Sequence, residues 1–202
     1  MITLRNIMVK KRLVNVNYIT VQSEQLTISI GRTKEGDRMD KNNIYEVIEK
    51  ILNTIHLPGE WSLVWYEQKK YVELTVQLEF DNFEEIGLID EVGEQMRQER
   101  NLYQLHVIFY DNKYYEGGFP HCLVSIGINP EEGVEYSYLY AVLDYLKYLL
   151  VKSRLDWNEF INNERSYFDI DWRKEELEAR INHLKTTHRY STKPLFFPHQ
   201  LN

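Results

Sequence analysis

WSLVWYE and YVELTVQLEF, residues 61–67 and 71–80, are two apolar and aromatic runs separated by the polar tripeptide QKK. In the second run Val72, Leu74, Val76, Leu78 and Phe80 fall on one side. Tyr71, Glu73, Thr75, Gln77 and Glu79 fall on the other, because successive strand side chains alternate in direction. A short polar connection between such runs predicts a hairpin. One face meets a core and the other meets water, an arrangement that antiparallel sheets tolerate.

Working outward, the same pattern recurs. Residues 12–32, RLVNVNYITVQSEQLTISIGR, predict two strands joined near Ser23–Gln25, with Leu26, Ile28 and Ile30 alternating. NNIYEVIEKILNTI predicts a helix: Ile44, Val47, Ile48, Ile51, Leu52 and Ile55 make one stripe, and Asn43 with Glu46 has capping-box spacing. Pro58–Gly59 ends it. Residues 83–99 predict a helix weakened by Gly87 and Gly93. LYQLHVIFY and HCLVSIGI predict two more strands, followed by a long helix at 135–153, a short strand in SYFDI and a last helix in RKEELEARINHLKTT. The order ββα-ββα-ββα predicts an α+β fold: an antiparallel sheet built from successive hairpins, with helices packed mainly on one face. Residues 1–190 are expected to form one domain. Residues 191–202 form a tail whose Leu195, Phe196 and Phe197 fold back on the body, since aromatic clusters are usually covered.

A chain of 202 residues buries roughly 70% of its unfolded surface on folding and needs neither disulfide nor metal to do so. Its single cysteine forms no internal disulfide and fits a reducing cytoplasm. No signal peptide is visible. The most apolar stretch, LYAVLDYLKYLLV, is interrupted by Asp144 and Lys147, so a soluble protein without a membrane span is expected. The net charge of −7 is unevenly spread: Tyr71 to Met96 holds eight acidic residues and no lysine or arginine. Residues 114–146 hold five acids, again without a basic residue, whereas both ends are mildly basic. Direct nucleic-acid binding through the middle is disfavoured, because phosphate contacts need a basic surface.

The chemical motifs are sparse. On a strand over 121–128, His121 and Cys122 point to opposite faces, and Cys122 joins the apolar row of Val124, Ile126 and Ile128 as an inert thiol. LVSIG lacks the first glycine of a nucleophile elbow. GRTKEG lacks the Gly-Lys-Ser/Thr ending of a phosphate loop. His183 and His188, five apart, do not share a helix face. Asp169 and Asp171, with Glu175, would share a face on a strand and suit Mg²⁺ in an enzyme on nucleotides or nucleic acid. Against this, Asp171 is well placed to cap the last helix.

Two features remain. Glu79, Asp81, Glu84, Glu85, Asp90, Glu91 and Glu94 lie within sixteen residues without basic relief. Tyr114 and Tyr115 stand in a polar, glycine-containing loop, where they suit an interface. Together they predict a non-enzymatic binding protein of inhibitor, immunity or antagonist type. It engages a basic partner protein without cofactor or metal, long-range attraction raising the association rate. The alternatives are the metal-dependent enzyme and a self-associating scaffold, a homodimer being compatible with the composition.

Overall fold

The computed structural model describes residues 11–13, 42–81, 88–89, 95–96, 100–162, 164 and 167–198. Asn43 opens helix α1 (Ile44–Ile55) by accepting a hydrogen bond from the Tyr45 backbone N–H at 2.9 Å. The helix buries Ile44, Ile48, Ile51, Leu52 and Ile55, which contribute roughly 1.5–3 kcal/mol each. Gly59 then turns the chain at φ +89°; a Cβ there would lie 2.4 Å from the Gln77 carbonyl oxygen. Strands β2 (Glu60–Tyr66) and β3 (Tyr71–Asp81) form the antiparallel hairpin that the alternation predicts, Leu63 standing opposite Leu74.

Strand β6 (Arg100–Asp111) pairs antiparallel with β3 along its whole length, Thr75 opposite His106. Strand β7 (Val124–Ile128) completes the main sheet in the order β2-β3-β6-β7. The strand pairs β2–β3 and β3–β6 are antiparallel, but β6–β7 is parallel, which corrects the expected run of hairpins. The connection over 112–123 is long enough for the crossover that parallel pairing requires.

Between β3 and β6, strands β4 (Leu88–Ile89) and β5 (Gln95–Met96) pair antiparallel where a helix over 83–99 is expected. Two glycines and the like-charged i, i+4 pair Asp90 and Glu94 weigh against a helix there. Strand β1 (Lys11–Leu13) runs parallel to β4 and to β9 (Tyr167–Phe168). The two strands expected within 12–32 otherwise lie outside the described residues. The element order therefore differs from ββα-ββα-ββα, while the α+β class and the mostly antiparallel sheet stand.

After β8 (Val134–Glu135), helix α2 (Tyr136–Ile161) extends eight residues beyond the predicted end at 153. Trp157 and Phe160 account for the extension, because both are buried. The Trp157 indole N–H donates to the Asp81 carbonyl at 2.9 Å, and its ring stacks on Phe80 at 4.9 Å. Helix α3 (Lys174–Thr186) follows, and β10 (Pro194–Leu195) pairs with β8. Leu195 is fully buried, the Phe196 backbone bonds Asn42 and Ile44, and Phe197 stacks on Trp65 at 5.4 Å. All three helices feed a single core with Val72, Leu74, Val76, Leu78 and Phe80 of β3, so they occupy the inner face. Among the described residues no helix is long and apolar enough to cross a membrane.

Candidate functional site

The same alternation that sends the valine and leucine row inward builds a second, outward surface. Its rows follow from the register. Tyr66, Tyr71, Tyr110 and Gly127 form one end; Val64, Glu73, Ile108 and Ser125 come next; then Ser62, Thr75 and His106; then Glu60, Gln77 and Gln104. Glu79 opposite Leu102 and Asp81 opposite Arg100 extend it. Glu60, Ser62, Val64, Glu79, Asp81 and Leu102 are exposed, which marks this face as open. Ten residue steps along β3 carry the chain from Tyr71 to Asp81, about 33 Å of strand.

The crossover loop closes the tyrosine end. Gly118, at φ +78°, lies so near Ser125 that a Cβ would stand 2.5 Å from the hydroxyl oxygen. That approach lets the Phe119 backbone N–H donate to Ser125 Oγ at 3.3 Å. Phe119 then packs at 5.0 Å on Tyr71 and 5.5 Å on Tyr110, and Tyr115 sits 4.7 Å from Phe119. Tyr66 lies 4.6 Å from Tyr71, with the Lys69 ammonium 5.8 Å from its ring centroid. Tyr114 projects from this cluster and is 60% exposed. Burial first, and then the charge of Glu73, pushes the Tyr71 hydroxyl well above the ordinary phenol value.

Under the loop edge lies the polar centre of the face. His106 Nδ1 is 2.8 Å from Glu73 Oε1, and the Thr75 hydroxyl is 3.4 Å from the same nitrogen. The Tyr66 hydroxyl also bonds Glu73. The His106 hydrogen bond holds the Glu73 carboxyl below its ordinary value despite burial, which opposes it, and the charges of His106 and Lys69 act in the same lowering sense.

Cys122 lies outside β7, in the loop, with His121 before it in the left-handed region at φ 63°. This corrects the expected place of both residues on one strand. The Cys122 thiol donates to the Phe119 carbonyl at 3.1 Å, and burial pushes its pKa up, so the thiol remains protonated rather than nucleophilic.

Of the sequence-predicted residues, Glu79 and Asp81 stand on the outer face with Tyr114. Tyr115 is half-buried among rings instead of exposed. Glu84, Glu85, Asp90, Glu91 and Glu94 lie outside the described residues. Glu60, Glu73 and His106 are not among the expected partner-binding residues; Glu73 is legible as a carboxylate on the outward row, but its partner requires the strand register.

The alternative metal set does not assemble. The strand ends at Phe168, before Asp169. Asp171 accepts from Arg173 Nε at 3.3 Å, and Arg173, not Asp171, is the residue preceding α3; Glu175 is exposed in the first turn. Among the described residues no group of three His, Cys, Asp or Glu side chains could hold a metal ion. Elsewhere, an open groove of about 440 Å³ runs between α2 and α3. Arg180 occupies it, paired with Asp144 at 2.8 Å and lying 4.7 Å over the Tyr148 ring.

No curated protein matches this chain. Its fold is similar to that of a conserved protein of unknown function from Enterococcus faecalis seen in a crystal structure, with a TM-score of 0.69 and 22% identity over 81% of this chain and 99% of that one. The family model described as protein of unknown function, DUF3013, matches residues 39–199, and the chain belongs to that family.

Proposed function

We propose that this chain is a non-enzymatic binding module that holds a basic partner protein on the outer face of its main sheet, as an inhibitor, immunity or antagonist protein does. The observation that carries the reading is the charge of that open face. Glu60, Glu73, Glu79 and Asp81 share it with His106, while Lys69 stands at its aromatic end and the register sets Arg100 opposite Asp81 at the other. Such a field steers an oppositely charged partner and speeds encounter, while exposed rings such as Tyr114 supply contact area at low entropic cost. The single protonated thiol suits a reducing compartment, and a cytoplasmic setting belongs to the proposal.

The metal-dependent enzyme has no supporting observation, since Asp171 is engaged by Arg173. The aromatic tail makes its contacts within the chain, through Leu195 and Phe197, so self-association through it is not favoured either.

The test is affinity capture from host lysate at low salt, followed by association kinetics with the captured protein. Glu79→Lys with Asp81→Lys should slow association by about tenfold or more and flatten its salt dependence. A captured partner whose association is indifferent to both substitutions and to salt contradicts the proposal.

A further inference from the structure

The main sheet ends at β2, which among the described residues pairs with β3 alone. The direction of its remaining backbone groups follows from the ladder. The Asp111 N–H donates to the Lys70 carbonyl at 3.0 Å, so Lys70 and Asp111 form a hydrogen-bonded pair. Such pairs alternate along an antiparallel ladder, which turns the Val72 N–H and C=O toward β6 and leaves Val72 unbonded to Trp65. Trp65, Leu63 and Trp61 therefore aim their own N–H and C=O groups away from the sheet. The Tyr45 hydroxyl agrees, since it donates to the Leu63 carbonyl at 3.3 Å from beyond the strand. Among the described residues no other hydrogen bond reaches these groups. Nothing in EWSLVWY discourages pairing: it holds no proline, glycine or lysine, and its register with β3 runs from Glu60 to Tyr66 without a bulge. The layer beneath is also unfinished. Trp61, Leu63 and Trp65 point to the core side yet are only half-buried, whereas Val76, Leu74 and Val72 opposite them are fully buried. A further strand finds room there for its inward side chains.

We propose that this edge docks a second copy of the chain, β2 against β2 in antiparallel register, so that the two main sheets continue into one. The strand fits itself. A two-fold axis through Leu63 sets the whole strand against its copy: Leu63 faces Leu63, Trp61 faces Trp65, and Ser62 faces Val64. Glu60, the one charged residue of the strand, faces Tyr66 instead of another carboxylate. The outward pairs, Leu63 with Leu63 and Trp61 with Trp65 on either side, each exchange two backbone hydrogen bonds. Aromatic cross-strand pairs add to these, and no like charges meet. A carbonyl accepts two hydrogen bonds, so the Tyr45 hydroxyl can stay on Leu63. A foreign strand would use the same backbone groups, but only the self-pairing also matches the side chains. So short a ladder is small beside the roughly 800 Å² per partner of a stable complex, and the dimer is a reversible one. The inference is independent of the basic-partner reading and differs from it in salt dependence. Each copy carries a net charge of −7, so added salt relieves the repulsion between copies and strengthens the dimer.

The experiment is sedimentation velocity of the full chain from about 10 to 500 µM at about 0.3 M salt, where repulsion between the copies is screened. The sedimentation coefficient should rise with concentration from that of a monomer to that of a dimer. Over the same range the Trp61, Leu63 and Trp65 amides should exchange with solvent several-fold more slowly, while Ser62 and Val64, already bonded to β3, should not change. Ser62→Lys with Val64→Lys sets lysines of one copy opposite those of the other and should abolish the dimer, as should Ser62→Glu with Val64→Glu. Both positions are exposed on the single chain, and mixing the two variants in equal amounts should restore a heterodimer, which shows each to be folded. A wild-type chain that stays monomeric throughout overturns the proposal, even if a captured protein then slows exchange at Trp61, Leu63 and Trp65, since the edge would belong to a foreign strand. A dimer that survives the lysine pair overturns it, and so does one that is lost in both variants and not restored by mixing.

Discussion

Leu195 gives the sharpest test of the packing. It is fully buried, pairs with Val134 across β10 and β8, and its carbonyl oxygen lies 2.5 Å from where a Cβ on Gly133 would stand. Leu195→Ala removes three buried carbons, about 2.4 kcal/mol at roughly 0.8 kcal/mol per carbon, before any cavity term. The backbone just after it is pinned at both polar groups of Phe196, whose N–H donates to the Asn42 carbonyl and whose carbonyl accepts from the Ile44 N–H, both at 2.8 Å. The site therefore collapses poorly, and a total loss of about 3–4 kcal/mol is expected. For a chain of this size that lowers Tm by roughly 6–15 °C. Thr192→Ala, at an exposed position of the same tail, should change stability by no more than about 0.5 kcal/mol. Urea unfolding of the three proteins measures the difference. A Leu195→Ala cost below about 1 kcal/mol would mean that the tail is not part of the core, and the packing argument would fail.

Three further outcomes follow from the site. The Glu73 carboxyl is held below its ordinary value when folded, so its stabilising contribution is present above the unfolded carboxylate pKa and disappears as pH falls through the folded one. The stability gap between wild type and Glu73→Gln, measured by urea midpoints, should therefore be widest near neutrality and close in acid; a constant gap contradicts the ionised pair. Burial pushes the Cys122 thiol up, so iodoacetamide at neutral pH should modify the native chain far more slowly than the urea-unfolded chain. Equal rates would place the thiol in the open. Gly118→Ala should cost about 2–3 kcal/mol, since it forces an alanine to φ +78° and displaces Ser125 from its bond to Phe119. Gly117→Ala meets no atom within 4 Å and should cost only the backbone strain, about 1–2 kcal/mol. Similar losses in the two variants would refute the close seating of the loop.

What the sequence reveals here is what depends on nearest neighbours along the chain. The α1 stripe from Ile44 to Ile55 and the alternation of β3 are periodicities, and both appear in the structure at the residues that show them. The parallel pairing of β6 with β7 depends on where a twelve-residue loop returns, which periodicity does not encode. Cys122 was misplaced for the same reason: the strand begins two residues later, and the loop rather than the ladder fixes the thiol. The segment 83–99 carries helix-compatible composition, but strand pairing at Leu88–Ile89 and Gln95–Met96 overrides it. Among the candidate site residues, an outward carboxylate row was legible from Glu73 to Asp81. Its centre was not, because Glu73 and His106 lie 33 residues apart and meet only through the β3–β6 register.

The most direct test of the central claim is hydrogen–deuterium exchange of this chain, alone and saturated with the basic partner that it captures. The outward positions of β2, β3 and β6 and the loop at 112–119 should gain protection, while α2 and α3 stay unchanged. Protection confined to α2 and α3, or to the groove around Arg180, would contradict the account and move the binding surface to the opposite side of the sheet.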